Sequence, residues 1–349
     1  MAAAALKPMD RQFRVAVVGA TGLVGETIIT VLEERGFPVS QLHLLASNRS
    51  LGRSVSFRGR SYPVQELADF DFAHCDFALF SAGAQVSREY VPRAVAAGCL
   101  VIDNTSEFRY QEDVPLVVPE VNLHALDTIG QRGIVANPNC CTIQLVMVLK
   151  PLYDAAGIER IDVATYQAVS GAGREALEEL ARQSIAALSG KGTVAAPAGS
   201  GQIAFNCVPH IDGFQDNGYT REEMKLVWET RKILGDAAIR VNATAVRVPV
   251  FYGHSEAVHL QTRRPLSADQ ARELLRKAPG VTVMDERRAG GYPTAATEAA
   301  KRDTVYVGRI REYLAPDRGL NLWIVADNVR KGAATNSVQI AEALAQRPI

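Results

Sequence analysis

Residues 15–25 of the chain read VAVVGATGLVG. The apolar run predicts a buried strand, and Gly19, Gly22 and Gly25 predict a tight turn that leads into a helix. Such a turn lets the backbone approach a pyrophosphate, and the helix N-terminus offers free N–H groups and the positive end of its dipole. The spacing is G-x-x-G-x-x-G rather than the usual G-x-G-x-x-G. The stretch therefore predicts a dinucleotide-binding β-α-β unit near the start of the chain.

The end of the second predicted strand indicates which dinucleotide would bind. An NAD site usually has Asp or Glu about 20 residues after the first strand. Here Ser47, Asn48, Arg49 and Ser50 follow the strand, with no acid among them. Two hydroxyl groups and a guanidinium suit a 2′-phosphate, so the sequence predicts NADP as the cofactor.

The pattern of the 349 residues predicts an α/β protein of two domains. Up to Asn137, short apolar strands alternate with helical stretches, which indicates a Rossmann-like, doubly wound parallel sheet. After Asn137 the alternation is irregular, which indicates an α+β domain with a mixed sheet. Predicted strands are residues 13–18, 41–46, 77–81, 100–102, 133–136, 161–170, 239–249, 257–262, 304–310 and 320–326. Predicted helices are residues 22–35, 142–155, 175–188, 267–277 and an amphipathic 331–346, and residues 191–202 predict a loop.

Composition excludes some classes of function. Lys plus Arg and Asp plus Glu both number 38, so global charge gives no support for binding to nucleic acid or an anionic membrane. No stretch approaches the roughly 20 apolar residues of a membrane span, and residues 1–14 lack the pattern of a signal peptide. The five cysteines have no disulfide or zinc spacing. We expect a cytoplasmic protein without a metal site.

A cysteine lies where the first domain gives way to the second. Cys140 follows residues 137–139 (NPN) and opens a predicted helix. A helix N-terminus stabilises thiolate over thiol, and thiolate is the form that attacks carbonyl groups. Farther along, Arg247 and His254 lie seven residues apart near the end of a strand. Arginine can bind a carboxylate through two hydrogen bonds, and histidine can act as an acid or base near neutral pH.

Several separated motifs resemble the aspartate-semialdehyde dehydrogenase family. They are residues 137–140 (NPNC), 166–171 (YQAVSG), 203–206 (IAFN), Arg247 with 253–256 (GHSE), and 326–334 (ADNVRKGAA). The resemblance covers roughly residues 12–346. It implies a nucleotide domain at residues 1–138 completed by a C-terminal helix at 328–349, a catalytic and dimerisation domain at 139–327, and a homodimer. The implied reaction is the reversible, NADP-dependent conversion of 4-aspartyl phosphate to L-aspartate 4-semialdehyde and phosphate, through a cysteine thioester, in lysine, methionine and threonine biosynthesis.

The resemblance also implies roles for individual residues. Cys140 matches the nucleophile, His254 the acid and base, and Gln167 a residue that orients the substrate. Arg247 matches the clamp on the substrate carboxylate, and Glu222 the contact of its amine. The remaining substrate residues implied are Lys225 and Arg109, both for phosphate, and Asn139. The implied nucleotide residues are Gly19, Thr21, Gly22, Leu23, Val24, Gly25, Ser47, Arg49, Ser50, Ser81, Gly83, Ser170, Gly171 and Asn328.

The sequence departs from the family pattern at two positions. Cys141 stands where the family usually has Ser or Thr, which leaves open which thiol reacts, although Cys140 holds the motif position. Glu107 stands where a smaller residue is common. Without the resemblance, residues 222–232 would indicate a solvated helix face.

Alternative functions are an N-acetyl-γ-glutamyl-phosphate reductase and a non-catalytic homologue that acts as a binding protein. An acetylated substrate would not need the acid Glu222, and a silent homologue is expected to have lost Cys140, His254 or Arg247. Glyceraldehyde-3-phosphate dehydrogenase fits less well, because its cysteine lies in a different motif.

Overall fold

The computed structural model describes residues 11–190, 201–314 and 319–347. Residues 1–10, which are most of the N-terminal segment 1–14, lie outside this range. Residues 191–200, which are most of the predicted loop at 191–202, lie outside it too. The chain forms two compact units, Met1–Asn139 together with Ala333–Ile349, and Cys140–Gly332. The domain boundaries expected from the sequence are 138/139 and 327/328. Among the described residues, no helix combines the length and apolar character that a membrane span requires.

The strands in chain order are β1 Phe13–Val18, β2 Val39–Ala46, β3 Ser54–Phe57, β4 Arg60–Glu66, β5 Phe77–Phe80, β6 Leu100–Asp103, β7 Ile134–Ala136, β8 Ile158–Gln167, β9 Arg240–Arg247, β10 His254–Thr262, β11 Val281–Val283, β12 Val305–Glu312 and β13 Gly319–Ala326. The helices are α1 Leu23–Glu34, α2 Ala84–Ala96, α3 Pro119–Asn122, α4 Cys140–Ala156, α5 Arg174–Leu188, α6 Arg221–Leu234, α7 Ala268–Lys277 and α8 Thr335–Ala345.

The first unit is built on a seven-stranded sheet of order β3-β4-β2-β1-β5-β6-β7. Apart from the antiparallel β3–β4 hairpin, neighbouring strands run parallel. Strand β1 is central and almost completely buried, as expected for a parallel sheet covered on both faces. Val18 pairs with Leu45 on one side and Phe80 on the other, so the carboxyl ends of β1, β2 and β5 reach the same edge. This confirms the predicted Rossmann-like sheet.

Helix α8 completes the first unit. The helix predicted over residues 331–346 is present, as a π-helical turn at Arg330–Ala334 followed by α8, but its predicted amphipathic character is wrong, because α8 is buried on most sides. It packs against α1, α3 and β6 and adds Val338, Ile340 and Leu344 to the core of that unit. Its Glu342 accepts two hydrogen bonds from Arg35, at 2.6 and 2.7 Å. A helix covered on several sides needs apolar residues around most of its circumference.

The second unit is built on a six-stranded sheet of order β11-β12-β13-β10-β8-β9. Strand β10 runs antiparallel to β8 and β13, whereas β8–β9 and β11–β12 are parallel pairs. The predicted mixed sheet is therefore confirmed. Helix α4 packs against β10 and β13 and also contacts α6 and α7. This packing presents the N-terminus of α4 near the first residues of β10.

Some elements were missed or misjudged from the sequence. The β3–β4 hairpin turns at Arg58 and Gly59, both with positive φ, and an Arg-Gly pair is a weak turn signal beside Asn-Gly. Helix α2 contains Pro92, which obscures its helical pattern. The residue-based interpretation of 222–232 as a solvated face is wrong, because Glu222 is only 5% exposed and α6 packs against β9 and α4.

Candidate active site

In the predicted nucleotide turn, Gly19 and Gly25 are packed so closely against neighbouring backbone that a side chain would not fit at either position. Gly19 has φ +85°, and a Cβ there would lie 3.0 Å from the carbonyl carbon and oxygen of Ser81. A Cβ on Gly25 would lie 2.1 Å from the carbonyl oxygen of Gly19. The atoms that approach are backbone atoms, which cannot turn aside. The glycines therefore allow close approach of strand β1, helix α1 and the end of β5.

The start of α1 has the features of an anion site. Gly22 is its N-cap and has no side chain to occupy the amides of the first turn, which begins at Leu23 and Val24. The first helical hydrogen bond runs from the amide of Glu26 to the carbonyl of Gly22, at 2.9 Å. Free amides together with the helix dipole suit a pyrophosphate.

The segment after β2 lies against this turn. Residues Asn48–Ser50 form a short 3₁₀ helix, and the hydroxyls of Thr21 and Ser50 are hydrogen-bonded at 3.0 Å. Ser47 and Arg49 are exposed. From the neighbouring strand β5, Ser81 donates to the carbonyl of Val18 at 3.1 Å, and Gly83 caps α2 with φ +94°. The predicted nucleotide residues of the first unit thus share one sheet edge.

Arg109 and Asn139 also belong to the first unit, and both side chains are buried. Arg109 donates from Nε to the carbonyl of Asn137 at 2.9 Å and from Nη2 to the carbonyl of Asn104 at 2.7 Å. Asn137 is itself held by Asn336 of α8 at 2.7 Å. The residues that precede Cys140 are therefore fixed by hydrogen bonds within the first unit.

Cys140 is the first residue of α4, which begins two residues before the predicted bound of 142 and so confirms the expected position of this cysteine at a helix N-terminus. Cys140 is partly exposed, whereas Cys141 is buried. A Cβ on Gly332 would lie 2.9 Å from Cβ of Cys140, so glycine is needed where this segment contacts the nucleophile candidate. The sulfur atoms of Cys140 and Cys141 and a ring nitrogen of His254 lie within 4.8 Å of one another.

The surroundings favour the thiolate form of Cys140. A hydrogen bond from the thiol of Cys141 and the proximity of His254 hold the pKa of Cys140 well below its ordinary value, against the opposing effects of burial and the charge of Glu222. Burial and the neighbouring Cys140 sulfur raise the pKa of Cys141 well above its ordinary value. Of the two thiols, Cys140 is the more acidic and the more accessible.

His254 begins β10 and is completely buried. Its Nδ1 accepts a hydrogen bond from the amide of Ala168 at 3.0 Å. In the neutral ring the proton is therefore on Nε2, which has no hydrogen-bond partner among the described residues. A metal ion would need the lone pair of Nε2, so this tautomer opposes metal binding by His254 and the two cysteines.

The same residue, Ala168, also holds Arg247. Its carbonyl accepts a hydrogen bond from Nη1 of Arg247 at 2.8 Å. A Cβ on Gly171 would lie 3.0 Å from Nη1 of Arg247 and 3.4 Å from Nε2 of His254. The backbone at 168–171 therefore packs directly against both side chains and fixes their positions.

A polar network lies beside these groups. Gln167 donates to Glu222 at 3.0 Å, and Lys225 donates to Glu222 and Asp212, each at 2.9 Å. Although burial opposes it, the carboxylates of Glu222 and Asp212 raise the pKa of Lys225. The network presents an acid and a cation within one turn of α6.

Two predicted nucleotide residues are buried in the second unit. Ser170 donates to Oδ1 of Asn328 at 3.0 Å, and the same oxygen accepts from the amide of Gly253 at 3.0 Å. Sequence reasoning missed Ala168, Gly332 and Asp212. Ala168 and Gly332 lie inside the family motifs at residues 166–171 and 326–334, but they act through their backbone, which residue type does not reveal. Asp212 lies in a loop outside these motifs.

Family models match both halves of the chain. Residues 14–129 match the semialdehyde dehydrogenase NAD-binding domain, and residues 149–331 match the semialdehyde dehydrogenase dimerisation domain. The chain thus contains an NAD(P)-binding domain and a dimerisation domain.

Individual proteins of known name are similar to this chain over almost its full length. Aspartate-semialdehyde dehydrogenase of Legionella pneumophila is 61% identical over 96% of each chain, and that of Bacillus subtilis is 48% identical over 96% of this chain and 98% of its own. The structure of aspartate semialdehyde dehydrogenase II of Vibrio cholerae complexed with ASA matches with a TM-score of 0.95 and 53% identity, over 97% of this chain and 100% of that chain. The Candida albicans enzyme with NADP matches with a TM-score of 0.73 and 28% identity, over 96% and 98%. This chain belongs to the aspartate-semialdehyde dehydrogenase family.

Proposed function

We propose that the protein converts 4-aspartyl phosphate and NADPH reversibly to L-aspartate 4-semialdehyde, phosphate and NADP, with Cys140 as the nucleophile. The observation that supports this most is the grouping of the Cys140 sulfur, at a helix N-terminus, with the ring of His254. Such a pair is suited to acyl transfer through a thioester. The reaction serves lysine, methionine, threonine and diaminopimelate biosynthesis.

In the biosynthetic direction, the thiolate of Cys140 attacks the acyl phosphate, and phosphate leaves as the thioester forms. Backbone amides at the start of α4 are suited to stabilise the oxyanion of this step. Arg109 and Lys225 are the cations that we assign to the phosphate. Asn139 precedes the nucleophile and remains a predicted substrate contact.

We assign the acid and base role to Nε2 of His254, which in the neutral ring is a hydrogen-bond donor. When bound, NADPH supplies the hydride that reduces the thioester. The Nε2–H of His254 donates a hydrogen bond to the carbonyl oxygen as it becomes an oxyanion during this reduction, and the tetrahedral adduct then collapses to the aldehyde and the Cys140 thiolate. The hydrogen bond from Ala168 keeps the reactive nitrogen turned away from the backbone.

The substrate's charged groups match the side chains around the thiol. The guanidinium of Arg247 is suited to the α-carboxylate, and the carboxylate of Glu222 to the α-amine. Gln167, bonded to Glu222, is assigned to orient the substrate. Glu222 argues against an acetylated substrate, and Cys140, His254 and Arg247 are all in place, which argues against a silent homologue.

We propose NADP rather than NAD as the cofactor. The glycine turn and the free amides at Leu23 and Val24 fit a pyrophosphate, and Ser47, Arg49 and Ser50 fit a 2′-phosphate. The remaining predicted nucleotide residues are Thr21, Ser81, Gly83, Ser170, Gly171 and Asn328. We further propose a homodimer, from the dimerisation domain, and a cytoplasmic location, because all five cysteines are free thiols.

Replacing Cys140 by alanine removes the nucleophile. We expect Cys140→Ala to lower turnover by about 10⁴-fold or more, while NADPH binding measured by fluorescence titration stays unchanged. Cys207→Ala, at an exposed free cysteine of the same unit, is the matched control and keeps full activity. Turnover by Cys140→Ala at the wild-type rate would show that Cys140 is not the nucleophile.

Arg247→Lys keeps the charge but loses the planar fork. We expect KM for L-aspartate 4-semialdehyde to rise about tenfold to a hundredfold, since one charge-assisted hydrogen bond is lost. Steady-state kinetics measure this change. Arg240→Lys, at an exposed position on the same strand, is the control. An unchanged KM would show that Arg247 does not bind the carboxylate.

Arg49→Ala removes the guanidinium assigned to the 2′-phosphate. We expect KM for NADPH to rise roughly tenfold and KM for NADH to stay the same, since only NADPH has that phosphate. Arg53→Ala, at an exposed neighbouring arginine, should change neither value. Equal effects of Arg49→Ala on both nucleotides would contradict the assignment.

A further inference from the structure

A buried acid lies beside the nucleophile and has no part in the proposed reaction. Glu256 is completely buried, and neither of its carboxyl oxygens has a hydrogen-bond partner among the described residues. It follows His254 by two residues on β10, so both side chains leave the same face of the strand. That strand packs against α4, which begins at Cys140.

The polar neighbours of Glu256 belong to α4. They are the amide of Gln144, one helical turn after Cys140, and the thiol of Cys141. The amide nitrogen and oxygen of Gln144 also have no hydrogen-bond partner in the described part of the chain, although the residue is only 1% exposed. Buried polar groups are normally satisfied, so a group of them next to a reactive thiol calls for an explanation.

Glu256 is suited to be a neutral acid. No cationic side chain forms an ion pair with it in the part of the chain that the structure describes. An isolated carboxylate in such a place would cost several kcal/mol, so the group keeps its proton instead. In agreement, burial first and the Cys140 charge second raise the pKa of Glu256 well above its ordinary value, although Gln144 and Cys141 oppose this.

The protonation state of Glu256 determines which group can accept a hydrogen bond from the Cys141 thiol. As a neutral acid, Glu256 can donate its O–H to the sulfur of Cys141, which leaves the Cys141 S–H for the sulfur of Cys140. As a carboxylate, it would accept that S–H instead and withdraw it from Cys140. The titratable and charged groups that face this cluster are Cys140 and Cys141 on α4, His254 on β10, Glu222 on α6 and Arg247 on β9.

We infer that Glu256 is a positioning residue for the reaction: its neutral carboxyl group, with Gln144, orients the thiol of Cys141 so that the S–H donates to the sulfur of Cys140. This inference rests on the proposed role of Cys140 as the nucleophile. No proton is transferred in the resting arrangement, since each donor keeps its hydrogen. Cys141 thereby supplies the donor that a serine or threonine hydroxyl would supply at the same place.

The test is the pH dependence of alkylation of the full-length protein by iodoacetamide, with the labelled cysteine identified by mass spectrometry. Glu256→Leu and Cys141→Ala each remove one member of the hydrogen-bond chain, whereas Glu256→Gln and Cys141→Ser keep a neutral donor in place. The melting temperature of every variant and its KM for NADPH report whether the fold is retained.

In wild type we expect label on Cys140. Glu256→Leu and Cys141→Ala should each raise the pH midpoint of alkylation by about one unit, so that the rate near pH 7 falls about tenfold and recovers at high pH. Glu256→Gln and Cys141→Ser should restore the wild-type profile. The double variant Glu256→Leu/Cys141→Ala should be no slower than either single variant, because both changes break one chain.

Three results would overturn the inference. The first is an unchanged pH profile of alkylation in Glu256→Leu and Cys141→Ala. The second is additive shifts of the pH midpoint in the double variant, and the third is a Glu256→Gln profile as altered as that of Glu256→Leu. If Glu256→Leu does not fold, Glu256→Met, which is similar in length and carries no donor, takes its place with the same expected results. Label on Cys140 with unaltered profiles refutes only this inference. Inactivation without label on Cys140 refutes the proposed function instead.

Discussion

The positions of His254 and Arg247 in the second unit depend on the backbone of Ala168. Its amide fixes Nδ1 of His254, and its carbonyl fixes Arg247. One backbone residue thus sets the tautomer of the proposed acid and base, His254, and the position of the proposed carboxylate clamp, Arg247. Because main-chain groups cannot rotate away as side chains can, the arrangement is maintained before substrate arrives. Such preorganisation avoids reorganisation during the reaction.

The glycines have a related function. Gly25 brings α1 against the carbonyl of Gly19, Gly171 brings its backbone against Arg247 and His254, and Gly332 brings its backbone against Cys140. At each place a Cβ would meet an atom of another residue at 3.0 Å or less. The motifs of this chain are therefore largely patterns of close backbone approach, with few reactive side chains placed among them.

Much of this could be predicted from the sequence. The buried strand and glycine turn at residues 15–25 predict the first sheet, because they depend on local chain geometry. The placement of Cys140 at the start of a helix also follows from local pattern. The burial of α8 and of Glu222 could not be predicted, since it depends on which elements pack against them. The role of Ala168 leaves no trace in composition, because it acts only through its backbone. Glu256 lies in the motif at residues 253–256, just before the strand predicted at 257–262, and its position beside Cys141 depends on the packing of α4 on β10.

The central claim is acyl transfer through a cysteine thioester that phosphate resolves. The most direct test measures NADPH formation from L-aspartate 4-semialdehyde and NADP by purified protein, with and without inorganic phosphate. The account predicts turnover that saturates with phosphate and is absent without it, because only phosphate releases the acyl group from Cys140. Turnover at the same rate without phosphate, or no turnover by protein that binds the nucleotide, would contradict it.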